Sequence, residues 1–184
     1  MSPLPRVLVF AGPNGSGKST ITRAWHIVGV YINADDIKAA SQCSDLDAAE
    51  AAEQARRSCL IHRRDFTFET VLSTRRNMVI LQDAKELGYQ VTGVFVITVS
   101  ADINVARVRS RVLGGGHDVP PDKTKARYSA SLANLPEFVG LCDEAWVFDN
   151  TDLPTVVYTR SDGEETYFPN DYWDEASLRS LIRP

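Results

Sequence analysis

The residues best suited to chemistry are concentrated in one string, Gly12-Pro13-Asn14-Gly15-Ser16-Gly17-Lys18-Ser19-Thr20. Its spacing, G-x-x-x-x-G-K-S, is that of a phosphate-binding loop. Gly12, Gly15 and Gly17 let successive backbone N–H groups turn inward around a phosphate, with Asn14, Ser16 and Thr20 completing the cradle. The N-terminus of the following helix adds a positive dipole end. Lys18 is expected to reach the β- and γ-phosphates, and Ser19 to hold Mg²⁺ through its hydroxyl. An apolar run, Val7-Leu8-Val9-Phe10-Ala11, precedes the string, and Ile21-Thr22-Arg23-Ala24-Trp25 follows it as a helix opening. Strand, loop and helix together predict nucleoside triphosphate binding.

Two carboxylates and several arginines extend the list. Asp35, in Asn33-Ala34-Asp35-Asp36, and Glu69, before Thr70, each follow a short apolar run. Phosphoryl transfer uses one carboxylate to accept the proton of the attacking hydroxyl, and a second can orient substrate or Mg²⁺. Asp35 equally suits capping of a helix beginning at Ile37, and Asp36 is assigned to that cap. Arg107 and Arg111, four apart, share a helix face. After Gly114-Gly115-Gly116-His117-Asp118-Val119-Pro120 comes a helix carrying Arg127-Tyr128. A closing lid that delivers arginines to the transferring phosphoryl group fits this arrangement. A solvated basic face beside a flexible turn fits it too. Arg75-Arg76 are suited to gripping an anionic substrate, and His117 to a hydrogen bond within the lid. Trp25, Trp146 and Trp173 read as packing residues.

The elements that must position these groups alternate between strand and helix, the pattern of a parallel sheet covered by helices. Strands are expected over 7–11, 30–33, 66–69, 91–99 and 145–148, and helices over 45–64, 74–87 and 101–113. The run 91–99 is apolar and β-branched almost throughout, as a central buried strand should be. Segments 155–159 and 165–168 flank an Asp-Gly pair and predict a C-terminal β-hairpin, followed by a short helix over 174–182. Ligands in such sheets bind beyond the carboxyl ends of the strands. That rule places Asp35, Glu69, Ser100, Asp149 and Asn150 near the loop. The expected architecture is an α/β P-loop NTPase/kinase fold, a parallel sheet flanked by helices, with a helical lid.

The chain has 184 residues, 43% of them hydrophobic and 24% charged, which suits one domain over 1–184. A net charge of −4 argues against a general nucleic-acid or membrane-surface binder. Cys43, Cys59 and Cys142 form no C-x-x-C pair, and no run approaches a membrane span or a signal-peptide core. The expectation is a cytoplasmic protein.

With these pieces in order, the chain resembles the zeta-toxin family of P-loop kinases over residues 7–150. The likeness rests on residues 12–20, Ile32-Asn33-Ala34-Asp35, Phe68-Glu69-Thr70 and Arg107-Val108-x-x-Arg111-Val112. It continues through Gly115-Gly116-His117-x-Val119-Pro120, Arg127-Tyr128 and Leu132-x-Asn134-Leu135. The resemblance implies an ATP- and Mg²⁺-dependent kinase that phosphorylates the 3′-hydroxyl of UDP-N-acetylglucosamine, blocking cell-wall precursor synthesis. By position it makes Asp35 the catalytic base, Glu69 a substrate contact, Lys18 the loop lysine and Arg107 a catalytic arginine. Arg111 or Arg127 serves as the second lid arginine, and Arg75 loosely matches a substrate-binding arginine. Asn33 stands where some relatives are acidic, and Val71-Leu72 replaces a smaller, more polar stretch. No segment looks like a built-in antitoxin, so an inhibitor is expected as a separate chain that occludes the ATP site.

Two other readings stay open on sequence. One is a kinase of the same fold with another acceptor, such as a nucleoside, an antibiotic or a polynucleotide hydroxyl. The other is a P-loop ATPase switch. Transporter-type ATPases carry L-S-G-G-Q and an apolar strand ending in Asp-Glu. Here Asp143-Glu144 precede the apolar run, and Leu113-Gly114-Gly115-Gly116 lacks the serine.

Overall fold

A computed structural model describes residues 3–114 and 119–183. Strand β1 (Arg6–Ala11) is flanked in parallel by β3 (Phe66–Thr70) and β4 (Gln90–Ile97). β2 (Val30–Ile32) pairs outside β3, and β5 (Glu144–Asp149) outside β4, both parallel. The antiparallel hairpin of β6 (Thr155–Ser161) and β7 (Glu164–Tyr167) completes one sheet, in the order β2-β3-β1-β4-β5-β6-β7. Asp162 and Gly163 form its turn, both at positive φ (53° and 81°), as a two-residue hairpin turn of the primed type requires. The expected parallel sheet and hairpin are present.

Alternation along the strands builds a core on each face. Val7, Val9, Phe66, Phe68, Val91 and Phe95 lie on one face; Leu8, Phe10, Val94 and Val96 lie on the other. Helix α1 (Lys18–Ala24) covers the second face with Ile21. There Trp25 meets Phe10, Trp146 and Phe148 edge-on, so Trp25 and Trp146 are packing residues as expected. The first face is covered by α3 (Asp45–Ile61), α4 (Arg76–Glu86), α7 (Leu135–Leu141) and α8 (Glu175–Ile182).

Gly93 on β4 sits under α7. A Cβ there would come within 2.4 Å of Cys142 Sγ and 2.8 Å of Phe138 Cζ. Gly93→Ala should therefore lower stability by about 1–3 kcal/mol through overpacking, read as a fall in the urea midpoint. An unchanged midpoint would mean that α7 can move away at no cost.

Several boundaries differ from the sequence expectation, two of them beside the site. Helix α2 (Ala34–Ser41) begins before Ile37, because Asn33 leaves β2 in extended conformation and its Oδ1 accepts the Asp35 N–H. Asn33 is thus the cap, and Asp36 is a first-turn residue instead. Strand β4 stops at Ile97, because Thr98 and Ser100 turn the chain into α5 (Ala101–Leu113), where the Ser100 hydroxyl accepts from the Asp102 N–H. The short apolar helix α7 was not anticipated; it follows directly on α6 (Pro121–Ala133). The expected lid residues 115–118, His117 among them, lie outside the described residues.

Candidate active site

The carboxyl ends of β1, β2 and β3 open into a cleft of about 710 Å³. Lys18, Ser19, Thr20, Asn14, Gly15 and Gly17 line it together with Asp35, Glu69, Arg107, Arg111 and Arg127. Of the expected substrate contacts, Arg75 is elsewhere: it pairs with Glu137 of α7 on the surface. Its neighbour Arg76 lines the cleft and pairs with Glu53 at 2.8 Å. At the start of a helix, consecutive side chains diverge by about 100°, so only one of the two can face inward.

The phosphate loop is held open by buried amides. Gly17 has φ 92°, and a Cβ there would lie 2.0 Å from Asn150 Nδ2. Without that Cβ, Asn150 Nδ2 donates to the Ser16 carbonyl at 2.7 Å. From α5, the fully buried Asn104 donates to the Asn14 carbonyl at 2.8 Å, while its Oδ1 accepts from Thr98 Oγ1 at 2.5 Å. Arg107 donates to the carbonyls of Asn150 and Thr151 at 2.7 and 2.8 Å. Its guanidinium therefore braces the strand end that braces the loop. Ser16 Oγ is buried without a partner inside the loop.

Lys18 Nζ donates to the carbonyls of Gly12 and Pro13 at 2.7 and 3.2 Å. Burial of the ammonium is the largest influence and lowers its pKa to about 8; Glu69 and Asp35 oppose the shift, and Arg111 adds to it. The sign gives two consequences. A folded pKa below the unfolded 10.5 means that stability of the free protein rises as pH increases from about 8 towards 10.5. Phosphates favour the charged lysine, so nucleotide binding takes up a proton above pH 8. Affinity for a non-hydrolysable ATP analogue should accordingly weaken as pH rises from 7 to 10, with its bend near 8. A flat titration over that range would remove Lys18 from the phosphate contact.

Opposite the lysine, Glu69 Oε1 accepts from the Tyr31 hydroxyl at 2.8 Å, and that hydroxyl accepts from Asn33 Nδ2 at 3.1 Å. Burial, followed by the charge of Glu69 and the hydrogen bond to it, pushes the Tyr31 hydroxyl well above the usual phenol range, although the Asn33 bond opposes this. It stays a donor and fixes the carboxylate. Asp35 stands exposed in the first turn of α2. Arg127 NH1 reaches Asn14 Oδ1 at 3.4 Å, and Arg111 is close enough to Lys18 to influence its protonation.

Helix α6 is tied to the site at three points. Tyr128 donates to the Thr98 carbonyl at 2.6 Å, Ser131 to that of Val71 at 2.7 Å, and the adjoining Asn134 to that of Leu72 at 2.8 Å. Leu72 is buried at φ 55°, an uncommon conformation for a bulky residue that these bonds help to hold. The loop after β3 is therefore tied to α6 and its C-terminal cap where it borders the cleft.

Sequence reasoning missed Asn104 and Arg56. Each is a polar residue on the buried face of an amphipathic helix. Asn104 sits beside Val105 and Val108, and Arg56 continues the buried Ala48 and Ala52 at four-residue spacing. That interruption of an apolar stripe was the available signal.

The family model described as Zeta toxin matches residues 2–164. The chain belongs to the zeta toxin family. An uncharacterized protein of Haemophilus influenzae is 31% identical over 130 residues, covering 67% of this chain and 92% of that protein. A chain of the AvrRxo1-ORF1:AvrRxo1-ORF2 complex, solved with sulphate ions, aligns at TM-score 0.74 and 15% identity over 98% of this chain. This chain covers 64% of that one. The same complex solved with ATP aligns at 0.72 and 15% identity, with 98% and 64% covered. A chain of the PezAT chromosomal toxin–antitoxin system of Streptococcus pneumoniae aligns at 0.66 and 16% identity, over 100% of this chain and 89% of that one. The structural likenesses show a common fold. With the family membership, the chain is a P-loop kinase, a phosphotransferase. Among the described residues, no helix is long and apolar enough to cross a membrane.

Proposed function

We propose that this member of the zeta toxin family transfers the γ-phosphoryl group of ATP to a hydroxyl of UDP-N-acetylglucosamine or a related nucleotide sugar. The observation that carries the reading is the meeting of Lys18, Asp35 and Glu69 in one cleft that extends beyond the phosphate loop to α3 and α4. A hydrolytic switch has no need of that second compartment. ATP is seen with a protein of the same fold, the AvrRxo1 complex.

On nucleotide binding, Lys18 exchanges the Gly12 and Pro13 carbonyls for phosphate oxygens. Asp35 accepts the proton of the acceptor hydroxyl as its oxygen attacks phosphorus, and Glu69, fixed by Tyr31, orients the acceptor. Arg111 and Arg127 bring positive charge to the transferring group. Arg107 keeps the cradle in shape, and any contact of its own with phosphate would require release from Asn150 and Thr151.

The donor set suits Mg²⁺. Ser19 offers an exposed hydroxyl in the first turn of α1, with Asp35 on the same cleft. Among the described residues no group of three or more His, Cys, Asp or Glu forms a protein cage. Mg²⁺ is usually held in kinases by one or two protein groups together with phosphates and water. Bound there, it would neutralise charge on the β- and γ-phosphates.

The test is ADP release in a coupled assay with and without the sugar nucleotide. Release that depends on the acceptor supports the reading, whereas equal release in both sends the assignment to hydrolysis. A separate antitoxin chain belongs to the same proposal, supported by the shared fold with a chain of the PezAT toxin–antitoxin system.

A further inference from the structure

Arg56 is nine-tenths buried or more, at 5% exposure, yet none of its nitrogens takes part in an ion pair or hydrogen bond among the described residues. Its guanidinium lies 5.1 Å from the centre of the Phe68 ring, and its Nε is buried without any partner. Burial lowers its pKa to about 10, with Arg76 and Arg57 adding to the shift and only Glu53 opposing it. That one carboxylate is already engaged by both Arg57 and Arg76. An unpaired buried cation is costly, and proteins keep one chiefly where something else supplies the counter-charge.

The position says what supplies it. Arg56 lines the same cleft as Asp35 and Glu69, together with the small side chains of Ala48 and Ala52 and the exposed Arg76. Phe68, beneath the guanidinium, immediately precedes Glu69 in β3, but faces the other side of the sheet. Asn77, on the same wall, donates to Thr70 Oγ1 and leaves its own Oδ1 buried and unpartnered. A guanidinium with free donors, backed by an aromatic ring, matches the oxygens of a phosphate or diphosphate in a way an ammonium cannot. We infer that Arg56, with Arg76 at the rim, forms a second anion subsite that holds a phosphate or diphosphate group of the acceptor. Asn77 Oδ1 would receive a hydroxyl or amide proton of the same molecule. The inference rests on the kinase reading above and narrows it, since neutral sugars and nucleosides would leave Arg56 unpaired.

The experiment keeps the two apart. Protein saturated with Mg²⁺ and a non-hydrolysable ATP analogue, so that the phosphate loop is filled, is titrated calorimetrically with inorganic pyrophosphate in excess Mg²⁺. Wild type should bind. Arg56→Gln and the milder Arg56→Lys should each weaken that binding by about tenfold or more, and Arg76→Gln by less. Circular dichroism and the thermal midpoint serve as folding controls; should Arg56→Gln fail them, Arg56→Lys and Arg76→Gln carry the test. No binding by wild type, equal binding by the folded variants, or a loss confined to analogue affinity would each overturn the subsite. If UDP-N-acetylglucosamine is phosphorylated but pyrophosphate does not bind, the subsite fails and the kinase reading stands. If pyrophosphate binds through Arg56 but that sugar is not phosphorylated, the acceptor assignment fails and the subsite stands.

Discussion

Lys18→Ala should lower ATP turnover by more than about 10²-fold, with the fold intact. The ammonium is partly buried and held by two loop carbonyls, so some of its hydration is already given up before it moves to phosphate. Charge placed in such a site acts on the developing negative charge with far less screening than it would in water. Removal also frees the loop of an unfavourable buried cation. The variant should therefore be at least as stable as wild type at pH 7, while losing turnover. Undiminished ADP release would remove the phosphate-loop assignment, and a parallel collapse of stability would recast Lys18 as a structural residue.

Asp35→Asn should spare nucleotide binding and lower phosphoryl transfer by about 10²-fold or more. Asparagine keeps the size of the side chain and cannot accept a proton. Helix α2 should form as before, because its cap is Asn33 and only the backbone N–H of residue 35 takes part. A general base lost in this way lowers kcat with little effect on KM for ATP. Equal losses in nucleotide affinity and rate would instead place Asp35 at the phosphates or their metal. If full activity remained, Glu69 would be the next base to replace.

The phosphate loop, the parallel strands and the hairpin turn were legible because each is dictated locally. Gly17 tolerates φ 92°, Asp162-Gly163 supply two positive φ values, and Val91-Thr92-Gly93-Val94-Phe95 has the apolar run of a central strand. The cap of α2 was less legible, since Asn33, Asp35 and Asp36 all have capping side chains and only the end of β2 decides between them. Arg75 and Arg76 could not be told apart before the start of α4 was known. Arg107 could be placed at the cleft by its spacing from Arg111, but not its bonds to Asn150 and Thr151, which depend on where the end of β5 lies against α5. Arg56 shows the same limit. Its helical stripe could be read from Ala48 and Ala52, whereas the lack of any counter-charge is a property of the packed molecule.

The central claim is a phosphoryl transfer to a nucleotide sugar, and ³¹P NMR of the protein with Mg·ATP and UDP-N-acetylglucosamine tests it most directly. A new phosphomonoester resonance, growing as ATP falls and absent with Asp35→Asn, is the predicted result. ATP that stays intact, or goes to free phosphate at a rate the sugar does not change, would contradict it.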